Sequence, residues 1–110
     1  MAKKVPARIR KLMKELKEGL ALIYKDKLKA VYLYGSYARG DYRQGSDVDV
    51  MILLKDYKNY WDEIKRTSEL VANISLDYDV LVSRIIMSEE KWNRSETPLL
   101  RNIHRDGQPT

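Results

Sequence analysis

The chain contains no cysteine and only one histidine among its 110 residues. Without cysteine it can form neither a disulfide framework nor a thiolate metal site. The single histidine, His104, lies in a polar tail beside Arg101 and Arg105, and we expect it to be exposed. It cannot complete a Ser-His-Asp or Cys-His catalytic set, and the sequence has no Walker-type loop of glycines and lysine. These absences disfavour hydrolase and P-loop functions.

Long hydrophobic runs are also absent. No apolar run approaches the length of a transmembrane helix. Five lysines and glutamates between residues 11 and 18 interrupt the apolar residues near the N-terminus, so the continuous core of a signal peptide is missing. We therefore expect a cytoplasmic protein with no membrane partner.

The positive charge is concentrated near the N-terminus. The formal net charge is +5, from 21 basic and 16 acidic residues. Residues 1–30 carry ten lysines or arginines against three acids, a balance of +7, so the remaining residues total −2. A basic helix could contact nucleic acid, but a charged helix face is more often simply solvated, and we expect nucleic acid not to be the primary partner. The length allows one domain, which we place at residues 1–110.

The most informative segment begins where a short apolar run ends. Residues 30–34 are β-branched, aromatic and aliphatic, which predicts a strand, and Gly35 and Ser36 follow it at once. A glycine followed by a hydroxyl at a strand-to-helix turn offers free backbone N–H groups to an anion, aided by the helix dipole. This turn is typical of a phosphate cradle.

Two aspartates stand at the entry of the next apolar segment, which ends at Leu54. Because strand side chains alternate, Asp47 and Asp49 face one side, while Val48 and Val50 face the other. Their Cα atoms would lie roughly 6.6 Å apart, close enough to share one or two divalent ions. Oxygen ligands of this kind favour Mg²⁺, which keeps phosphate oxygens in its shell. The segment thus predicts a metal site facing the cradle, as in nucleoside triphosphate chemistry.

Gly35 and Ser36 form a G-S-(ten residues)-D-x-D pattern with the two aspartates, and this pattern resembles the signature of the DNA polymerase β nucleotidyltransferase superfamily. The short chain and the letters YGSYARG resemble the minimal nucleotidyltransferases (MNT), the partners of HEPN toxins in prokaryotic two-gene modules. The resemblance implies an α/β (α+β) fold, a single minimal nucleotidyltransferase domain whose small mixed sheet of three to four strands is flanked by helices.

The same resemblance implies an activity and a partner. Such proteins are antitoxins that transfer AMP from ATP to a tyrosine hydroxyl of the cognate HEPN toxin ribonuclease and so neutralise it. We therefore expect Mg²⁺ as cofactor, ATP as substrate, and a hetero-oligomeric complex with a HEPN-domain toxin. Arg39 belongs to the recognisable Gly-Ser-x-x-Arg-Gly wording and could offset charge on departing pyrophosphate, so we assign it to nucleotide binding with Gly35 and Ser36.

The resemblance further implies a third acid on a neighbouring strand, acting as metal ligand or as general base. Residues 77–82 repeat the pattern of residues 47–52, and we predict a third strand from Leu76 to Arg84. Asp77 and Asp79 would share one face of it, so alternation alone cannot choose between them. We favour Asp79, because an apolar run follows it immediately. The predicted catalytic and metal-binding set is Asp47, Asp49 and Asp79.

Periodicity predicts the remaining elements. Apolar residues at three- and four-residue steps favour two long helices, and turn or capping residues mark three short ones. The predicted helices are Pro6 to Lys25, Ser36 to Arg39, Tyr57 to Asn73, Ser88 to Trp92 and Pro98 to Arg105.

Two other functions remain open at this level. An antitoxin could block its toxin by contact alone, using the basic first helix or the segment from Trp92 to Arg105, although the filled acid positions favour catalysis. Transfer to RNA could use the N-terminal charge through phosphate contacts. The chain lacks the aromatic platform or second domain that would support RNA binding.

Overall fold

The computed structural model describes residues 3–110, so all of the predicted domain except its first two positions. Within these residues a four-stranded mixed sheet is flanked by α-helices, and the predicted α+β fold is confirmed. The helices are α1 (Ala7–Tyr24), α2 (Ser36–Arg39), α3 (Tyr60–Tyr78), α4 (Glu89–Arg94) and α5 (Pro98–Asp106). The strands are β1 (Leu28–Tyr34), β2 (Val48–Leu54), β3 (Val82–Ser88) and β4 (Gln108–Pro109). No helix in the described part of the chain is long and apolar enough to cross a membrane.

The sheet order is β3-β2-β1-β4. β1 runs antiparallel to β2, and β2 runs parallel to β3, with α3 as the crossover that parallel neighbours need. The C-terminal end of β1 therefore lies at the same edge of the sheet as the N-terminal ends of β2 and β3. The turn after β1 and the aspartates that begin β2 meet at this edge.

The two faces of the sheet carry separate hydrophobic clusters. Val48, Val50 and Ile52 are fully buried on the face that α1 and α3 cover, as strand alternation predicts. Met51 and Leu53 point to the opposite face, where they pack with residues of α4 and α5. Asp49 belongs to this second face by alternation. The acid thus ends a buried apolar row, next to α5.

The predicted third strand was wrong in its bounds. Its first residues continue α3, whose inward stripe extends through Val71, Ile74 and half-buried Tyr78 at three- and four-residue steps. Asp79 ends the helix in the left-handed conformation, with φ of 49°, a position that aspartate tolerates better than most residues. β3 begins only at Val82. The helix also starts later than predicted, because Asn59 accepts hydrogen bonds from the first backbone N–H groups of the helix.

A short C-terminal connection fixes α5 against the turn that follows β1. The Gly107 N–H donates to the Ile103 carbonyl oxygen at 2.7 Å, and a Cβ at Gly107 would lie 2.4 Å from that same oxygen. The next residues form β4, which pairs antiparallel with β1 at Leu33. The Gln108 side-chain amide donates to the Ala38 carbonyl of α2 at 3.0 Å. The glycine allows the close passage from helix to strand.

We expect Gly107→Ala to lower the free energy of unfolding by roughly 1–3 kcal/mol, because the added carbon meets a backbone oxygen that can move only with α5. Thermal unfolding followed by circular dichroism measures this change. Gly19→Ala is the matched control, since its Cβ would meet only the flexible end of Leu70 and alanine favours the helix. Equal melting temperatures for the two variants would contradict the prediction.

Candidate active site

A cavity of about 420 Å³ opens at the edge of the sheet where β1 ends and β2 begins. This volume is within the range of small-molecule sites. Of the six predicted site residues, the structure brings five together around it; these are Gly35, Ser36, Arg39, Asp47 and Asp49. The cavity therefore contains both halves of the sequence motif.

Gly35 lies directly against a carboxylate. Its φ is +76°, a backbone conformation that favours glycine, and a Cβ there would lie only 2.2 Å from Asp49 Oδ2. The sheet register explains the contact, because Tyr34 pairs with Asp49 across β1 and β2 and Gly35 is the next residue. Glycine is required here both for the turn and for the approach of the acid.

The turn continues into α2, a single helical turn. Gly40 ends it in the left-handed conformation, with its N–H donating to the Ser36 carbonyl at 2.9 Å. The first N–H groups of a helix have no partner inside it and attract anions. The predicted Ser36–Arg39 helix is present at the predicted residues. Its chemistry suits a phosphate group next to the acid pair.

The carboxylates create a strongly negative centre. Burial raises the pKa of Asp49 above its usual value, the charge of Asp47 raises it further, and only Arg39 opposes these effects. The same field acts on Tyr34, whose pKa rises to about 12 through burial first and then through the charge of Asp49. A cation bound nearby would stabilise the ionised form of Asp49.

The donor set fits a divalent ion held jointly with phosphate. Asp47 and Asp49 offer two carboxylates, and Mg²⁺ commonly takes one or two protein carboxylates and completes its shell with water and phosphate oxygens. Among residues 3–110, no group of three or more acidic, histidine or cysteine side chains could hold a metal ion together. The acid pair is therefore the part of the site that fits the ion.

Asp79 does not join this pair. It lies at the end of α3 and lines a neighbouring cavity of about 490 Å³, which also touches Asp47 but not Asp49. On β3 the residue that pairs with Asp49 is Ser83. The strand position beside the acid pair thus carries a hydroxyl group. The third-acid role of Asp79 stays a prediction, and Asp77 lies within α3 rather than on a strand.

Helix α5 forms a wall of the cavity that the sequence motif did not indicate. Four of its residues line the cavity, at positions i, i+3, i+4 and i+7; these are Leu99, Asn102, Ile103 and Asp106. Such spacing places them on one helix face. The amphipathic spacing of α5 was visible in the sequence, but nothing local indicated what the helix faces.

His104 lies outside the cavity and is exposed, as predicted. Its ring stacks on Trp92 with centroids 3.5 Å apart, and its Nε2 lies 3.0 Å from the Trp92 carbonyl oxygen. The histidine joins α5 to α4 and takes no part in the candidate site.

The comparison with known families decides the class of the protein. The model of the nucleotidyltransferase domain matches residues 9–103. This chain belongs to the nucleotidyltransferase domain family. The nucleotidyltransferase is 47% identical over 75 residues to a Methanocaldococcus jannaschii protein named "Putative protein adenylyltransferase MJ0141", covering 68% of this chain and 75% of that protein.

Solved structures share the fold of this nucleotidyltransferase. A crystal structure described as "a putative nucleotidyltransferase" from Sulfolobus solfataricus matches with a TM-score of 0.66 and 28% identity, covering 93% of this chain and 80% of that one. A structure described as a tri-AMPylated Shewanella oneidensis HEPN toxin with its MNT antitoxin matches with a TM-score of 0.50 and 19% identity, covering 88% and 70% of the two chains. At that identity the second likeness shows the fold alone.

We expect Asp49→Asn to raise the melting temperature of the metal-free nucleotidyltransferase at pH 7 by a few degrees. A carboxyl whose pKa is raised by folding binds its proton more tightly in the folded protein, so its ionised form lowers the free energy of unfolding. This loss develops as the pH rises from the unfolded-state pKa through the raised one. The advantage of the variant should therefore shrink towards about pH 4.

Thermal unfolding in chelator across this pH range measures the effect. Asp77→Asn, on the outer surface of α3, is the matched control and should follow the wild type. An Asp49→Asn protein no more stable than the wild type at pH 7 would contradict the electrostatic account.

We expect Gly35→Ala to abolish the stabilisation that a nucleoside triphosphate with a divalent metal ion gives the protein, because the new methyl group displaces the Asp49 carboxylate. Gly45→Ala is the matched control, since Gly45 also has a positive φ, of +85°, but a Cβ there meets nothing within 4 Å. Both variants carry the strain of a side chain at positive φ, of roughly 1–3 kcal/mol. Only the first should lose the thermal shift that the nucleotide gives, and equal shifts would show that Asp49 is not displaced.

Proposed function

We infer that this nucleotidyltransferase transfers AMP from ATP to a tyrosine hydroxyl of a partner HEPN toxin and acts as its antitoxin. The observation that carries the proposal is the contact between the turn and the acid pair. Gly35 lies so close to Asp49 that any larger side chain would overlap its carboxylate. Groups that bind phosphate and groups that bind a divalent ion thus occupy one cavity. Nucleotidyl transfer requires both at the same phosphates.

The residues divide into two roles. The turn at Gly35 and Ser36, with the N–H groups of α2, binds the β- and γ-phosphates and orients the α-phosphate. Arg39 lines the same cavity, where its guanidinium would offset charge on the leaving pyrophosphate. Asp47 and Asp49 would hold Mg²⁺, which neutralises phosphate charge when bound.

The transfer step balances without a further reactant. The tyrosine oxygen of the partner attacks the α-phosphorus and forms a new P–O bond, while the bond from that phosphorus to the bridging β-phosphate oxygen breaks. Pyrophosphate leaves along the Gly35–Ser36 turn, and the phenol proton is released to solvent. The protein contributes mainly position and charge neutralisation.

Relatives support the choice of nucleotide and acceptor. The 47% identical relative carries the name of a protein adenylyltransferase, and one structure of the same fold combines an AMPylated HEPN toxin with an MNT antitoxin. A protein acceptor also suits a chain whose described residues form one small domain, because the partner then supplies the hydroxyl group and much of the binding surface.

Intact mass spectrometry tests the proposal. The proposed partner, a HEPN-domain toxin, would be incubated with the nucleotidyltransferase, ATP and Mg²⁺, and its mass should rise by whole AMP units. Asp49→Asn should lower the rate by at least roughly 100-fold, because one of the two metal-binding carboxylates is lost. Asp77→Asn is the control and should transfer normally.

Two further outcomes are informative. Asp79→Asn should retain most of the transfer, since Asp79 does not line the cavity that contains both Asp47 and Asp49; a loss equal to that of Asp49→Asn would restore it as a third catalytic acid. An unmodified toxin in a stable complex with this chain would overturn the proposal and favour inhibition by contact alone.

A further inference from the structure

One wall of the active-site cavity, formed by α5, has no role in the proposed phosphate chemistry. Leu99, Asn102, Ile103 and Asp106 present one face of α5 to the cavity. The phosphate turn and the aspartates account for the triphosphate and the metal ion. The nucleoside part of the substrate must contact some other part of the lining, and beyond the motif residues, Tyr34 and Ser46, that lining is the face of α5.

The direction of α5 sets the order in which its residues follow one another along the cavity. Asp106 lies at the C-terminal end of α5, two residues before Gln108, and it lines the cavity together with Arg39. The connection from Gln108 to the Ala38 carbonyl confirms that this end of the helix adjoins α2. With a rise of 1.5 Å per residue, Asn102 lies roughly 6 Å and Leu99 roughly 10 Å further along the helix axis. A nucleotide whose phosphates bind at the turn extends along this row.

Leu99 is exposed in a way that its neighbours are not. Its side chain is 42% exposed, whereas Leu100 and Ile103 are 4% and 1% exposed. An apolar surface at the end of the cavity far from the phosphates suits the flat face of a nucleobase, because stacking or packing there removes apolar area of both groups from water.

Asn102 lies between the phosphate end and Leu99. It is exposed, and its carboxamide can both donate and accept hydrogen bonds. A ribose hydroxyl offers the complementary donor and acceptor, and the sugar lies between the phosphates and the base of any nucleotide. The position along α5 and the chemistry of the side chain therefore agree.

We propose that α5 is the nucleoside wall of the active site, with Leu99 packing against the base and Asn102 hydrogen-bonding a ribose hydroxyl. The inference rests on the proposed use of ATP and names the residues that select its sugar. In this proposal Asn102 distinguishes ribose from deoxyribose. Leu99 makes only apolar contact with the base.

Isothermal calorimetry of nucleotide binding tests the wall without a partner protein. ATP, 2′-deoxy-ATP and 3′-deoxy-ATP would each be titrated with Mg²⁺ into the wild type, Asn102→Ala and Leu99→Ala. Asn102→Ala should lower the affinity for ATP roughly three- to tenfold, the range of one hydrogen bond. Its affinity for the deoxy analogue that lacks the contacted hydroxyl should equal that of the wild type. Removing Leu99 should weaken all three nucleotides to a similar extent, because each has the same base.

Matched controls separate the wall from general effects of substitution. Asn93→Ala changes an exposed asparagine of α4, and Leu76→Ala changes a leucine of α3 that is 79% exposed; neither residue lines the cavity. Both should bind nucleotides like the wild type. Circular dichroism checks that all variants are folded.

The possible failures are distinguishable. A wild type that binds no ATP would overturn the proposed function and the wall together. Binding that is normal in the wild type, with Asn102→Ala and Leu99→Ala matching their controls, would overturn the wall alone. Asn102→Ala could also bind all three nucleotides more weakly by the same factor. That result would overturn the wall as well, because the asparagine would then act without contacting the sugar.

Discussion

The contact between Gly35 and Asp49 is the constraint on which the rest of the site depends. It joins two adjacent strands at a point where any side chain on the glycine would meet the carboxylate. The contact requires the Tyr34–Asp49 pairing, and that register is set by burial. A slip by one residue would turn fully buried Val48 and Val50 towards the face of the acids. The hydrophobic core thereby holds the carboxylate against the turn at Gly35 and Ser36.

The site is also an exception to how this chain treats buried charge. Glu63, only 8% exposed, receives hydrogen bonds from the Tyr24 hydroxyl and from Arg66 Nε, each at 3.0 Å. Its charge is compensated within the protein. Asp49 is instead placed beside another carboxylate, and burial raises its pKa. Asp49 is only partly buried and Arg39 alone opposes the rise of its pKa, so a cation bound beside the pair would stabilise its ionised form.

The sequence predicted what is local and failed where distant elements meet. Gly35, Ser36, Asp47 and Asp49 could be placed because the turn and the strand alternation are properties of short segments. Asp79 could not, because the repeat of an acid-apolar pattern resembled a second acid-bearing strand. The inward stripe of α3 continues through that pattern, and helix periodicity overrides a short β-like run when its apolar side chains are needed in the core. The position of α5 was equally inaccessible, because it depends on the pairing of β4 with β1.

The corrected position of Asp79 changes what the site requires of its substrate. With Ser83 rather than an acid paired with Asp49 on β3, the sheet brings two carboxylates, Asp47 and Asp49, to the cavity. Two carboxylates hold Mg²⁺ weakly unless phosphate oxygens complete its shell. Metal and nucleotide should then bind together rather than in sequence, since each supplies what the other lacks. Such coupling would leave the repulsion within the acid pair opposed only by Arg39 until a nucleotide arrives, and the proposed α5 wall lines the cavity that would hold the nucleoside.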